Sequence, residues 1–109
     1  MMREDPVAHV LIDHFSVPEA ARAAFDERRR LSESIVRIQP GFVEGYVFEP
    51  LGDGPYTHIT AAVWESAEAF AAARAAVAAE YERLGIDIPA FLKEHGITLT
   101  RGQYTRAAY

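Results

Sequence analysis

The sequence predicts an α+β domain in the order strand–helix–strand–strand–helix–strand. Three observations carry this. Residues 7–15, 42–49, 56–65 and 97–106 are rich in β-branched and aromatic residues. Two stretches between them repeat apolar residues at helical spacing. Turn-forming residues punctuate the boundaries. The 109 residues are read as a single domain, 1–109, with 1–6 an extended or disordered tail.

Val7 to Phe15 forms the first strand, with His9, Leu11, Asp13 and Phe15 on one face and Ala8, Val10, Ile12 and His14 on the other. Neither face is cleanly polar, so both are expected to be covered. Ser16-Val17-Pro18-Glu19 fits a capping box opening a helix. Ala21, Ala24, Phe25, Leu31, Ile35 and Ile38 continue it at helical spacing, interrupted by Arg28, and Gln39-Pro40-Gly41 stops it. Phe42 to Glu49 and Tyr56 to Glu65 form a hairpin across Pro50-Leu51-Gly52-Asp53-Gly54-Pro55. On the third strand Tyr56, His58, Thr60, Ala62 and Trp64 share a face.

Ser66 is placed to cap a second helix with the stripe Phe70, Ala73, Val77, Tyr81 and Leu84, which Gly85 ends. Ile88 to His95 suits a short extra helix closed by Gly96, and Ile97 to Arg106 alternates as a last strand. Right-handed crossovers put both helices on one face of a four-stranded antiparallel sheet. The first and third strands are expected as central neighbours, running parallel. Apolar residues on both sheet faces, with helices on only one, predict a homodimer that packs sheet on sheet. Tyr46 and Tyr104 are read as packing or dimer residues.

A net charge of −5 with mixed signs argues against nucleic acid, and Arg28-Arg29-Arg30 reads as a solvated helix face. The absence of cysteine excludes disulfides, thiolate zinc sites and cysteine nucleophiles. No apolar run reaches membrane-spanning length and Met1 to Pro6 is polar, so no membrane association and a cytoplasmic location are expected. Phosphate-loop, dinucleotide and nucleophile-elbow fingerprints are absent.

Phe15-Ser16-Val17-Pro18, Gln39-Pro40-Gly41-Phe42 and Val63-Trp64-Glu65-Ser66-Ala67-Glu68-Ala69-Phe70 together resemble the antibiotic-biosynthesis monooxygenase domain, over nearly the whole chain. The resemblance implies a ferredoxin-like fold of the dimeric α+β barrel type, with one cavity per subunit between sheet and helices. Some members oxidise aromatic polyketides or quinols with oxygen and no cofactor; others degrade haem. The family's strand tryptophan maps onto Trp64. An Asn late on the first strand maps onto Asp13, and an Asn four residues before the Trp maps onto Thr60, both departures. A second-helix His of haem-degrading members has no counterpart, since no His lies between Trp64 and His95.

The sequence therefore leads to a cofactor-independent monooxygenase acting on a small aromatic, polyketide or quinol-like substrate, without a metal. The alternative is a non-catalytic small-molecule-binding or dimerisation module on the same fold. Asp13 and His58 are the candidate bases and Trp64 the donor that positions substrate. His9, Thr60, Phe70, Arg74 and Tyr81 are the candidate substrate-binding residues. Asp13 has two further readings: a structural pair with Arg101 or Arg106, or an iron site shared with His9 and His58.

Overall fold

The chain folds as strand β1 (His9–Ser16), helix α1 (Arg22–Val36), strands β2 (Phe42–Phe48) and β3 (His58–Trp64), helix α2 (Ala67–Leu84), short helix α3 (Ile88–Glu94) and strand β4 (Thr98–Thr105). The computed structural model describes residues 8–107. The tail at 1–6 and the expected strand start at Val7 lie outside the described residues. The sheet order is β2-β3-β1-β4 and every pairing is antiparallel. The expected parallel pairing of β1 with β3 is therefore wrong. A crossover through α1 leaves β2 parallel to β1, and the hairpin then reverses β3.

The capping box expected at Ser16 does not form. Ser16 is the last residue of β1 and pairs with Thr98. The chain turns at Pro18 into a single 3-10 turn, Glu19–Ala21, and α1 follows without a side-chain cap. Thr57 explains the difference, because its hydroxyl takes the Val17 N–H at 3.0 Å. At α2 the expected cap is present: Ser66 Oγ accepts from Ala69 N at 3.1 Å, and Gly85 closes the helix with φ 72°. Asp87 caps α3 in the same way.

Two apolar clusters hold the helices to the sheet. Val17, Ala21, Phe25 and Ile97 form one, with Phe15, Phe91 and Leu92 against it. Trp64, Phe70 and Ala73 form the other, with Leu11, Val36, Phe42 and Ala62. Of the stripe expected on the first helix, Phe25 and Ile35 are buried, whereas Ile38 lies past the helix end and is 75% exposed. Arg28, which breaks that stripe, stands 4.9 Å over the Phe91 ring, so its charge is spent on an aromatic face.

Gly41 sets the start of β2 against α2. Its φ is +87°, its carbonyl accepts from Glu65 N at 2.9 Å, and an added Cβ would collide with the Cβ of Ala69. Gly41→Ala should destabilise the fold by about 1–3 kcal/mol from backbone strain, with the collision adding to it. A urea titration measures this; an unchanged midpoint would remove Gly41 from the account.

The sheet face turned from the helices carries Val10, Ile12, Ile59, Ala61 and Val63 across the central pair, as the register requires. Tyr46 and Phe48 on β2 and Tyr104 on β4 border it, about half exposed, with the Tyr46 and Phe48 rings stacked at 5.7 Å.

Candidate functional site

The helix-facing side of the sheet is organised in four rows across β4, β1 and β3: Leu99–Phe15–His58, Arg101–Asp13–Thr60, Gln103–Leu11–Ala62, and Thr105–His9–Trp64. Phe15 and His58 of the first row pack against Phe25, and His9 and Trp64 of the last against Phe70. Between them the Arg101–Asp13–Thr60 row forms a polar band, while Leu11 and Ala62 of the third row join the Phe70 cluster. This alternation follows from the two-residue period of the strands, which sends Asp13, Thr60 and Arg101 to the same side.

Asp13 is 6% exposed, and both of its carboxylate oxygens are taken by Arg101: Nε donates to Oδ1 at 2.7 Å and Nη2 to Oδ2 at 2.8 Å. The hydrogen bond to Asp13 is the main reason the guanidinium pKa is raised; burial opposes it, and the Asp13 charge and Tyr81 add to it. Tyr81, on α2, donates to Ser32 Oγ on α1 at 2.7 Å, tying the two helices together above this band. The structural pairing of Asp13 is thus the one the structure shows, and a carboxylate gripped at both oxygens is ill suited to be a general base.

His58 is 4% exposed beneath Phe25, with ring centroids 4.8 Å apart. Its Nδ1 lies 2.8 Å from Thr57 Oγ1, which also sits 3.3 Å from the Phe15 carbonyl. With the Thr57 hydroxyl donating to that carbonyl, Nδ1–H donates to Thr57 and Nε2 keeps its lone pair. Burial lowers the His58 pKa, with Asp26 and Glu49 opposing and Arg22 and Arg29 assisting. A folded-state pKa below the unfolded value means the unfolded chain binds more protons. Stability should therefore be full above pH 6.5, the ordinary histidine value, and fall as the pH drops through the lowered folded-state value. His58→Gln should flatten that acid-side slope in denaturation series at several pH values; an unchanged slope would contradict the assignment.

Trp64 is 3% exposed, with Phe42 and Phe70 edge-on at 5.4 and 6.2 Å. Its indole N–H is buried without a hydrogen-bond partner among the described residues. Buried indole donors are usually paired, so this one is an open valence in the protein interior. His9, in the same row, stacks on Phe70 at 4.5 Å and meets Gln103 Oε1 through Nε2 at 2.9 Å.

The structure thus places Asp13, His58, Thr60, Trp64, His9 and Phe70 on or against one face, but not around one point. His58 and Trp64 are six residues apart on β3, about 20 Å along the strand. His9 and Asp13 are four apart, about 13 Å, which rules out a shared metal for His9, Asp13 and His58. Arg74 is exposed on α2 and is not part of this face. Residues the sequence did not single out are Thr57, Ser32, Gln103 and Arg29, whose buried Nε has no hydrogen-bond partner among the described residues and lies 3.8 Å from Asp26 Oδ1. A shallow recess of about 320 Å³ beside the start of α2 reaches the site at His9 and Thr105. A second, of about 450 Å³, lies between α1 and α2 on the side of Ile35 and Ala76.

No protein-family model matches the chain, and no curated protein matches it. Solved structures do. A candidate monooxygenase from Shewanella loihica superposes with a TM-score of 0.71 at 21% identity, over 94% of this chain and 95% of that one. SnoaB, a cofactor-independent oxygenase from Streptomyces nogalater, superposes with a TM-score of 0.66 at 23% identity, over 94% and 96%. A candidate antibiotic-biosynthesis monooxygenase from Deinococcus radiodurans gives 0.69 at 16% identity, over 93% and 94%. The chain has the ferredoxin-like fold of these proteins, in agreement with the resemblance carried by its sequence motifs. No helix of the described residues is long and apolar enough to cross a membrane.

Proposed function

We propose that the chain is a cofactor-independent monooxygenase of elongated aromatic substrates, of the anthrone or quinol kind, acting in the cytoplasm as a homodimer. The observation that carries this reading is the buried, unpartnered indole N–H of Trp64, set in the apolar cluster that flanks the polar Arg101–Asp13–Thr60 row. Likeness in fold to a cofactor-independent oxygenase supports it. The half-buried apolar residues Val10, Ile12 and Ile59 on the face turned from the helices support the homodimer.

An electron-rich phenolate or enolate can reduce oxygen without a metal. In an anthrone the reacting methylene becomes a carbonyl: one oxygen atom of O₂ bonds to carbon, and the other leaves as water with the two methylene hydrogens. His58, kept neutral by burial, takes the first proton. Trp64 donates to an oxygen of the far ring. A separation of about 20 Å between these two backbones is longer than a three-ring frame and favours substrates of four or more fused rings laid along β3.

Clamping of Asp13 by Arg101 favours the second reading, a non-catalytic binding module, because it removes one of the two candidate bases. Oxygen consumption by the purified, metal-free protein across anthrones and quinols of increasing ring number separates the two. The oxygenase reading expects uptake that rises with ring number. Ligand binding with no uptake anywhere would establish the module.

A further inference from the structure

We propose that Arg101 is an oxyanion anchor, so that this site takes its aromatic ligand as the phenolate or enolate. The anchor is built from four observations. Arg101 stands on the edge strand β4, on the helix-facing side, directly opposite Asp13. Two of its three guanidinium nitrogens are fixed by the buried Asp13 carboxylate, which sets the plane of the fork. Among the described residues Nη1 has no hydrogen-bond partner, and the side chain is 49% exposed, so the free end of the fork is open to a ligand. The hydrogen bond to Asp13 keeps the group cationic at any working pH.

A cation held in place before the ligand arrives stabilises a developing oxygen anion with little reorganisation. Asp13 is then a positioning residue that acts through Arg101. Tyr81, close enough to influence the Arg101 charge and itself held by Ser32, closes the band from the helix side. The inference rests on the aromatic-ligand reading above, but not on any chemistry with oxygen.

The test is a spectrophotometric pH titration of two probes, 1,8-dihydroxyanthraquinone and 1-naphthol, free and bound to the full chain. Binding to the unaltered protein should lower the phenol pKa by about 1 unit or more, the usual effect of an adjacent opposite charge. Arg101→Gln should abolish the lowering, Arg101→Lys should retain part of it, and Asp13→Asn should reduce it with the cation still present. Thermal melts identify which variants are folded, and Arg101→Lys serves should Arg101→Gln not fold. An unlowered pKa in the unaltered protein, no binding of either probe, or equal lowering in a folded variant that lacks the Arg101 fork would overturn the anchor. A lowered pKa without oxygen uptake on the anthrone panel would leave the anchor standing and sink the oxygenase instead.

Discussion

Trp64→Phe should fold and raise the KM for the aromatic substrate about tenfold, whereas Trp64→Ala should lose both uptake and stability. The indole fills the space between Phe42 and Phe70 and is 3% exposed. Truncation to alanine removes the centre of that cluster and should cost about 3–5 kcal/mol. Phenylalanine keeps much of the apolar contact and removes the N–H. The N–H acts on the far ring, about 20 Å along β3 from His58, so its loss weakens substrate binding by about tenfold, the worth of one ordinary hydrogen bond. For stability the removal is favourable in one respect, since the donor is buried and unpaired without a ligand. The two variants therefore separate packing from chemistry. Equal activity of Trp64→Phe and the unaltered protein would show that the ring matters and its N–H does not.

The second large effect is expected at Asp13. Asp13→Ala deprives Arg101 of its partner and leaves a guanidinium beside a buried hole. Breaking a wholly buried pair costs about 3–5 kcal/mol. Arg101 is half exposed and can turn towards water, so a loss of about 1–3 kcal/mol is the better expectation here. Asp13→Leu combined with Arg101→Met should recover much of it, because both desolvation costs then disappear. A double-mutant cycle by urea denaturation isolates the pair, and additive losses would show that the two hydrogen bonds contribute nothing to stability. Arg101→Met alone should be the milder single change only if the buried Asp13 finds water, so comparison of the two singles reports how accessible the band is.

Most of the fold was legible because its signals are local. Ser66 and Gly85 bound α2 by cap chemistry that depends only on near neighbours. The alternation along residues 58–64 placed His58, Thr60 and Trp64 on one face without any knowledge of their partners. What failed depended on residues far away in the chain. Ser16 has the right sequence context for a cap, but Thr57, brought in by the hairpin, already serves the backbone there. The relative direction of β1 and β3 depends on the path of the chain, not on either strand's composition.

The site was legible by face and not by distance. A two-residue period shows which side chains share a surface, but His58 and Trp64 share theirs from opposite ends of one strand. Asp13 was recognisable as a carboxylate in need of a partner. Its choice of Arg101 over Arg106 required the register of β4, which fixes Asp13 opposite Arg101. Arg74 fell on the wrong side of α2 because half of that helix's residues are alanine, which leaves its inner stripe poorly marked.

In the proposed reading, the helix-facing side of the sheet between His58 and Trp64 is an oxygenase site. The direct test is an oxygen-electrode trace of the purified, metal-free protein with a four-ring anthrone analogue. Protein-dependent consumption of one O₂ per substrate is expected, strongly reduced in a folded His58→Gln and shifted to higher KM in Trp64→Phe. Consumption no faster than in buffer, for an anthrone shown to bind, would contradict it.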